Sequence, residues 1–322
     1  EDIYKKQVRG NIPPRKHLDV LGEDNQQQLF RQLTGGKRKG EEVTVTQQDQ
    51  DSGKYDVEVG AGLTLDKQDI ESFNLLSDAD KQKIKKKLIT PGNYKIRDIF
   101  TSDESLIAFN LLRNVGSGDL QKGPGEVALG LMSPEINLST KGDIDINGEL
   151  YELKLNGGRI SDKAGPDPKK MKDLIESYIG PFDLGQQVLN IENFIKLLNE
   201  RAKTTPNINF KELAYKVFSA ILDESHAGSI ASLFETTPLN FDEINKEVIK
   251  QSFDWYKNTK RGTTGEWDKL IGINTSTAVP GVAVVSTGED FVNVPQKKLN
   301  INIIRSGSGT RENYIDFYPK IG

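Results

Sequence analysis

KGDIDINGELYELKLN, residues 141–156, reads as a β-hairpin, and the rest of the chain is interpreted outward from it. Asn147-Gly148 is a two-residue type I′ turn signal, because both central positions need positive φ and these two residues tolerate it best. The turn fixes the register: Ile146 faces Glu149, Asp145 faces Leu150, Ile144 faces Tyr151, Asp143 faces Glu152 and Lys141 faces Lys154. Period-two alternation then sorts the faces. Ile144, Ile146, Tyr151, Leu153 and Leu155 form an apolar face suited to a core, while Asp143, Asp145, Glu152 and Lys154 share the other.

Directly opposed like charges destabilise a strand pair, so Asp143 against Glu152 calls for a cation between them. A hard divalent ion suits the place, since Mg²⁺ takes one or two protein carboxylates together with waters and phosphate oxygens. Lys154, two residues beyond the second acid on the same face, can orient or help deprotonate an attacking water and offset charge developing on a phosphate. The competing account is a solvated hairpin with a charged outer face, common in antiparallel sheets. The turn, the apolar back face and the placement of the acids and lysine agree independently, which favours the cation site.

Asp143 followed by Glu152-Leu153-Lys154 resembles the signature of the PD-(D/E)XK nuclease superfamily, whose restriction-endonuclease-like fold is shared by resolvases and many phage enzymes. Gly142 stands where that signature has proline. In the family a helix precedes the hairpin and often contributes a Glu; GPGEVALGLM, residues 123–132, supplies Glu126 at the start of a short apolar helix. An acid in a first helical turn also compensates the helix dipole, and both accounts of Glu126 stand. Arg159 in NGGRISDK lies in an expected loop after the active strand, where a guanidinium can meet a DNA phosphate or simply face solvent. The segment from Gly123 to Ile160 particularly resembles nuclease-like proteins of tailed bacteriophages.

The resemblance implies Mg²⁺-dependent (or Mn²⁺-dependent) hydrolysis of DNA, as an endonuclease. Asp143 and Glu152 would hold the metal, Lys154 would position or activate water, and Glu126 would support a metal-bound water or a second ion. Asp145 would be auxiliary, or merely exposed near the turn. The rival reading is a phage virion or DNA-organising protein that keeps the nuclease fold for assembly, meeting phage structural proteins through its N-terminal arm or helical lobe. A metal-stabilised, noncatalytic interaction module is a third.

Composition bounds these readings. The chain has 322 residues, 43 Lys and Arg against 47 Asp and Glu, a formal charge of -4, and no cysteine. Disulfide and thiol chemistry are excluded, and a general coat for DNA would be more basic. Basic residues cluster locally instead, in GGKRKG (35–40), KQKIKKKL (81–88) and Lys169-Lys170. Only His17 and His226 are present, too few for a zinc or His-rich nuclease centre. The glycine clusters at 35–40 and 261–267 lack the Gly-Lys-Ser/Thr ending of a phosphate-binding loop, so no ATP site is expected. No apolar run approaches bilayer length and the N-terminus EDIYKKQVRGNIPPRK has no signal-peptide core. The expectation is a cytoplasmic or virion-associated protein with no membrane partner.

The expected fold is α/β, a restriction-endonuclease-like mixed sheet core with an enlarged helical lobe. Residues 1–60 read as a polar flexible N-terminal arm, with QQDQDSGKYD as its most linker-like stretch, and 61–120 as a helical region. LDKQDIESFNLL, SDADKQKIKKKL and SDESLIAFNLLRNV have helical spacing, with Ser77 and Ser102 as N-caps. Residues 121–165 hold the core helix and hairpin, 166–262 the helical lobe, and 263–322 the strands that complete the core. PGVAVVSTGEDFVNV, LNINIIRSG and ENYIDFYPK read as strands in the same sheet as the hairpin. Trp255 and Tyr256 are expected to pack internally, with base stacking as the alternative.

Overall fold

The computed structural model describes residues 44–46, 56–59, 63–65, 76–112, 124–132, 136–139, 142–163, 165–185, 188–258, 267–275, 280–295, 297–305 and 313–321. In chain order these form β1 Thr44–Thr46, β2 Asp56–Val59, β3 Leu63–Leu65, α1 Asp78–Leu88, β4 Gly92–Lys95, α2 Ile96–Ile99, α3 Asp103–Leu112, α4 Pro124–Met132, β5 Ile136–Leu138, β6 Ile144–Ile146, β7 Glu149–Leu155 and β8 Gly158–Lys163. There follow α5 Pro168–Ile179, β9 Leu189–Asn190, α6 Ile191–Thr204, α7 Phe210–Ile221, α8 Glu224–Ser232, α9 Phe241–Asn258, β10 Lys269–Asn274, β11 Gly281–Val285, α10 Gly288–Val292, β12 Lys297–Asn300, β13 Asn302–Ile304 and β14 Asn313–Phe317. The chain divides into two compact units, Glu1–Asn156 with Lys260–Val284 and Lys320–Gly322, and Gly157–Thr259 with Val285–Pro319. No helix among the described residues is long and apolar enough to cross a membrane.

The first unit is built on a mixed six-stranded sheet in the order β4-β11-β10-β7-β6-β5. β5, β6 and β7 form an antiparallel meander, and β10 lies parallel to β7, with Leu270 beside Glu152 and Ile271 beside Leu153. The apolar hairpin face does what its alternation predicts: Ile144, Ile146, Tyr151 and Leu153 are buried in one core with Ile271 and Ile273 of β10 and Val282 and Val284 of β11, and Leu155 packs against it. Ala128, Leu129 and Met132 of α4 and Ala108 and Phe109 of α3 belong to the same core. Ser77 caps α1 through the Asp80 N–H, and the Ser102 hydroxyl accepts the Ser105 N–H at the start of α3, each at 3.1 Å, as their positions predict.

Several assignments change. β4, within the stretch read as helical, is an edge strand paired antiparallel with β11. β10 was hidden because Leu270–Asn274 are all buried, and a strand covered on both faces shows no alternation. Of the stretch read as a polar arm, Thr44–Thr46 and Asp56–Val59 pair antiparallel, and Leu63–Leu65, within the stretch read as helical, adds a third strand. Here the Thr-Val-Thr and Asp-Val-Glu-Val alternation was the cue. The other arm residues, and most of LDKQDIESFNLL, lie outside the described residues.

The second unit holds the helices expected for 166–262 and a core of its own, which includes Met171, Phe194, Phe218, Ile244 and Trp255. Tyr256 packs against that core, so the internal reading of Trp255 and Tyr256 holds. Asp167, Asn190 and Asn209 cap α5, α6 and α7 through side-chain oxygens. Of the strands expected to join the hairpin's sheet, only Gly281–Val285 does so. β12 and β14 instead pair with β8, with Ile315 beside Ile160, and β13 pairs with β9. The residues after β11 form α10, because Thr287 and Asp290 make a reciprocal capping box.

Candidate active site

Asn147 and Gly148 both take positive φ, +58° and +85°, so the type I′ turn forms and the hairpin register is the one the turn dictates. Asp145 belongs to this turn. Its Oδ1 accepts the Gly148 N–H at 2.7 Å, bracing the loop. Asp145 thus has a structural task in the turn.

The ladder stops at Ile144 and Tyr151 rather than continuing to Asp143 and Glu152. Gly142 turns the chain with φ +68°, and the Asp143 N–H reaches back to the Tyr151 carbonyl at 2.8 Å. The Asp143 carboxylate then accepts the Leu153 N–H on Oδ2 at 2.6 Å. The direct opposition of Asp143 and Glu152 is thus corrected: a backbone turn at Gly142 relieves it, and the charge clash no longer argues for a cation. Lys141 lies outside the described residues. What the new geometry supplies is closer to a site, because Asp143 is hydrogen-bonded to the middle residue of Glu152-Leu153-Lys154.

Glu152 and Lys154 alternate with buried Leu153 on a strand flanked by β6 and β10. Their side chains are 15% and 21% exposed and meet at 2.6 Å between Glu152 Oε1 and Lys154 Nζ. Gly272 sits beside Lys154 on β10 and brings no side chain to that position. The lysine therefore places a cationic donor next to a largely enclosed carboxylate, where a low effective dielectric strengthens both attraction and polarisation.

Glu126 lies in the first turn of α4, directly after Gly125. A Cβ at Gly125 would stand 3.1 Å from Leu153 Cδ2 and 3.3 Å from Leu155 Cβ, so this turn rests on the strand that carries the Glu-Leu-Lys triplet. One Glu126 oxygen, Oε2, is buried. The helix-dipole account of the same residue remains compatible with this placement.

Arg159 is on β8 of the second unit, not in a loop. It stands beside Asp316 with Nε 3.9 Å from Oδ1, and its guanidinium lies 4.1 Å from the centroid of Tyr314. Its side chain is nonetheless 54% exposed. The Gly-rich, polar stretch NGGRISDK concealed the strand.

Residues beyond the sequence reading brace the turn end of the hairpin. The Asp268 carboxylate accepts the Leu150 N–H at 2.8 Å, and Lys269 Nζ bonds Glu149 Oε2 at 2.6 Å and the Ile89 carbonyl at 2.8 Å. The buried Tyr151 donates its hydroxyl to Glu149 at 2.8 Å. Burial pushes the Tyr151 hydroxyl above its ordinary pKa, and the neighbouring Glu149 carboxylate pushes it further. The bond from Lys269 holds the Glu149 carboxyl below its usual 4.5, against a smaller opposing effect of burial. A folded-state pKa below the unfolded one adds stability above the unfolded value and loses it as pH falls through the folded value. Glu149→Gln is expected to remove that acid-side dependence. Because Glu149 is half exposed, the change in unfolding free energy between pH 7 and pH 3 should be under about 1 kcal/mol, read as a smaller fall in thermal midpoint on acidification.

Among the described residues, no group of three or more His, Cys, Asp or Glu side chains is gathered as a ready metal cage. Comparison with family models, with curated proteins and with solved structures finds no match. The test of a metal therefore falls on donor chemistry. Asp143 and Glu152 offer hard carboxylate oxygens, a donor type whose chemistry suits Mg²⁺ or Mn²⁺ with waters and phosphate oxygens completing the shell.

Proposed function

We propose that this chain is a magnesium- or manganese-dependent endonuclease that hydrolyses DNA phosphodiester bonds at a site of PD-(D/E)XK type. The observation that carries the reading is the hydrogen bond from the Leu153 amide to Asp143, which places Asp143 against Glu152-Leu153-Lys154. The order of elements supports it: a helix with Glu126, then the hairpin, then a long helical insertion, then a strand parallel to β7. That order suits a restriction-endonuclease-like core whose helical connection has been enlarged into a lobe.

In this reading Asp143 and Glu152 would hold the divalent ion, and Glu126 would support a bound water or a second ion. The ion, when bound, polarises a phosphoryl oxygen and makes water a stronger nucleophile near neutral pH. Lys154 orients the attacking water, takes part in moving its proton and offsets charge growing on the phosphate oxygens. One water adds across one P–O bond, leaving a hydroxyl and a phosphate monoester. Arg159 is given no step here; its exposed guanidinium lies beside Asp316 and Tyr314.

The test is cleavage of supercoiled, linear and single-stranded DNA with Mg²⁺ or Mn²⁺ and with chelator. Metal-dependent cleavage would support the proposal and reveal the preferred substrate. DNA binding without cleavage on any substrate would replace it by the assembly reading, in which a virion or DNA-organising protein retains the fold. Lys154→Met is expected to lower the rate by about 100-fold or more, the scale of a lost proton-transfer or charge-stabilising group. Full cleavage by that variant, with metal affinity unchanged, would refute the role given to Lys154.

A further inference from the structure

We infer that Asn147 is a site of spontaneous deamidation that the folded hairpin holds closed through Asp145, so that opening of this turn is recorded covalently. Asn147 and Gly148 are exposed at the tip of the β6–β7 hairpin. In an Asn-Gly pair the backbone nitrogen after the asparagine is the least hindered nucleophile toward the side-chain amide, because glycine carries no Cβ. Here the surroundings add no obstacle. A Cβ built at Gly148 would meet nothing within 4 Å.

The chemistry consumes only water. Gly148 N gives up its proton to solvent and bonds to Cγ of Asn147; the Cγ–Nδ2 bond breaks and ammonia leaves with a proton, giving a five-membered succinimide. Water then opens the imide at either carbonyl, leaving aspartate or isoaspartate. The aspartate product keeps an Asp-Gly pair, which still suits a type I′ turn. Isoaspartate routes the main chain through the side-chain carbon, and the added backbone atom does not fit the two-residue turn that pairs Ile146 with Glu149.

Two features of the native turn oppose the first step. Ring closure needs Gly148 N eclipsed with Asn147 Cβ. Asn147 is left-handed, with φ +58°, and the ψ of about +47° that belongs to this region sets the nitrogen nearly anti to Cβ instead. The Gly148 N–H is also donated to Asp145 Oδ1 at 2.7 Å, a charge-assisted bond that fixes the nitrogen and makes its proton harder to remove. Cyclisation therefore runs through the opened turn, and the bond to Asp145 sets how often the turn opens.

The experiment incubates the full chain near neutral pH and follows aspartate and isoaspartate at position 147 by peptide mapping, which separates this pair from Asn156-Gly157, the other Asn-Gly in the chain. Wild type, D145A and D145N are compared, with circular dichroism to verify the fold, and the wild type is also incubated in urea. D145A is expected to convert about fivefold faster, the change in open population when one hydrogen bond is lost. D145N, whose side-chain carbonyl still accepts the Gly148 N–H, should stay close to the wild type. A folded D145A that converts at the wild-type rate would overturn the inference. A slower one would overturn it too, by making Asp145 the base for cyclisation rather than the latch. Should D145A fail to fold, the wild type decides: faster conversion in urea supports the closed turn, and equal conversion in urea and in buffer refutes it. Neither DNA nor metal enters the measurement, so its outcome is separate from that of the cleavage test.

Discussion

Asp143→Asn is expected to abolish metal-dependent cleavage while leaving the fold close to the wild type, and Asp143→Ala to lose both cleavage and stability. The difference follows from the two tasks of one carboxylate. Its Oδ2 accepts the Leu153 N–H at 2.6 Å, a structural bond that an asparagine carbonyl can still accept. The negative charge and hard-ligand character are lost in either substitution. Cleavage should therefore fall by at least about 100-fold in both variants, the scale associated with losing a charge-stabilising or metal-organising group. Alanine also strips the acceptor from a part-buried amide, which costs about 1–3 kcal/mol. Plasmid cleavage and thermal unfolding, measured on the same preparations, separate the two effects. An asparagine variant that cuts at the wild-type rate would remove Asp143 from the chemistry.

The second large effect concerns Gly142, which stands where the proposed signature has proline. Gly142→Pro would bring the chain nearer to the proposed PD-(D/E)XK pattern, yet it is expected to damage this protein severely. Gly142 has φ +68°, whereas a proline ring holds φ near about −65°. A Cβ at Gly142 would also meet the Tyr151 carbonyl oxygen at 3.1 Å. The turn that sends the Asp143 N–H to Tyr151 and the Asp143 carboxylate to Leu153 cannot survive the change. The expected cost is on the order of 3 kcal/mol, with loss of cleavage. Gly142→Ala, which can adopt this backbone with strain, should cost about 1–2 kcal/mol. Chemical denaturation of the three proteins checks the ranking, and a proline variant as stable as the wild type would contradict the role assigned to Gly142.

These residues also mark what the sequence could and could not tell. Asn147-Gly148 and the alternation of Ile144, Ile146, Tyr151 and Leu153 made the hairpin legible, because turn chemistry and side-chain period act locally. The ladder's end was illegible. A glycine permits positive φ without requiring it, so Gly142 did not reveal that Asp143 would leave the register. Asp145 looked like an accessory ligand because alternation gives a face but not a hydrogen-bond partner. Lys269 could not be tied to Glu149 before β10 was known to return beside β7, and β10 was concealed by burial on both faces. Glu126 was visible as an acid at a helix start, while its nearness to Leu153 and Leu155 depends on tertiary packing at Gly125.

The parallel pairing of β7 with β10 has a consequence for biosynthesis. Tyr151 and Lys269, side by side in the sheet, are 118 positions apart in the chain. A nascent polypeptide makes the hairpin early and then waits through the whole intervening insertion before its neighbouring strand is available. Long-range pairing of this kind slows folding and leaves an apolar strand edge exposed during synthesis. The same delay keeps the acidic centre unfinished until translation has passed β10, so a growing chain near nucleic acid would carry its carboxylates without the sheet that aligns them.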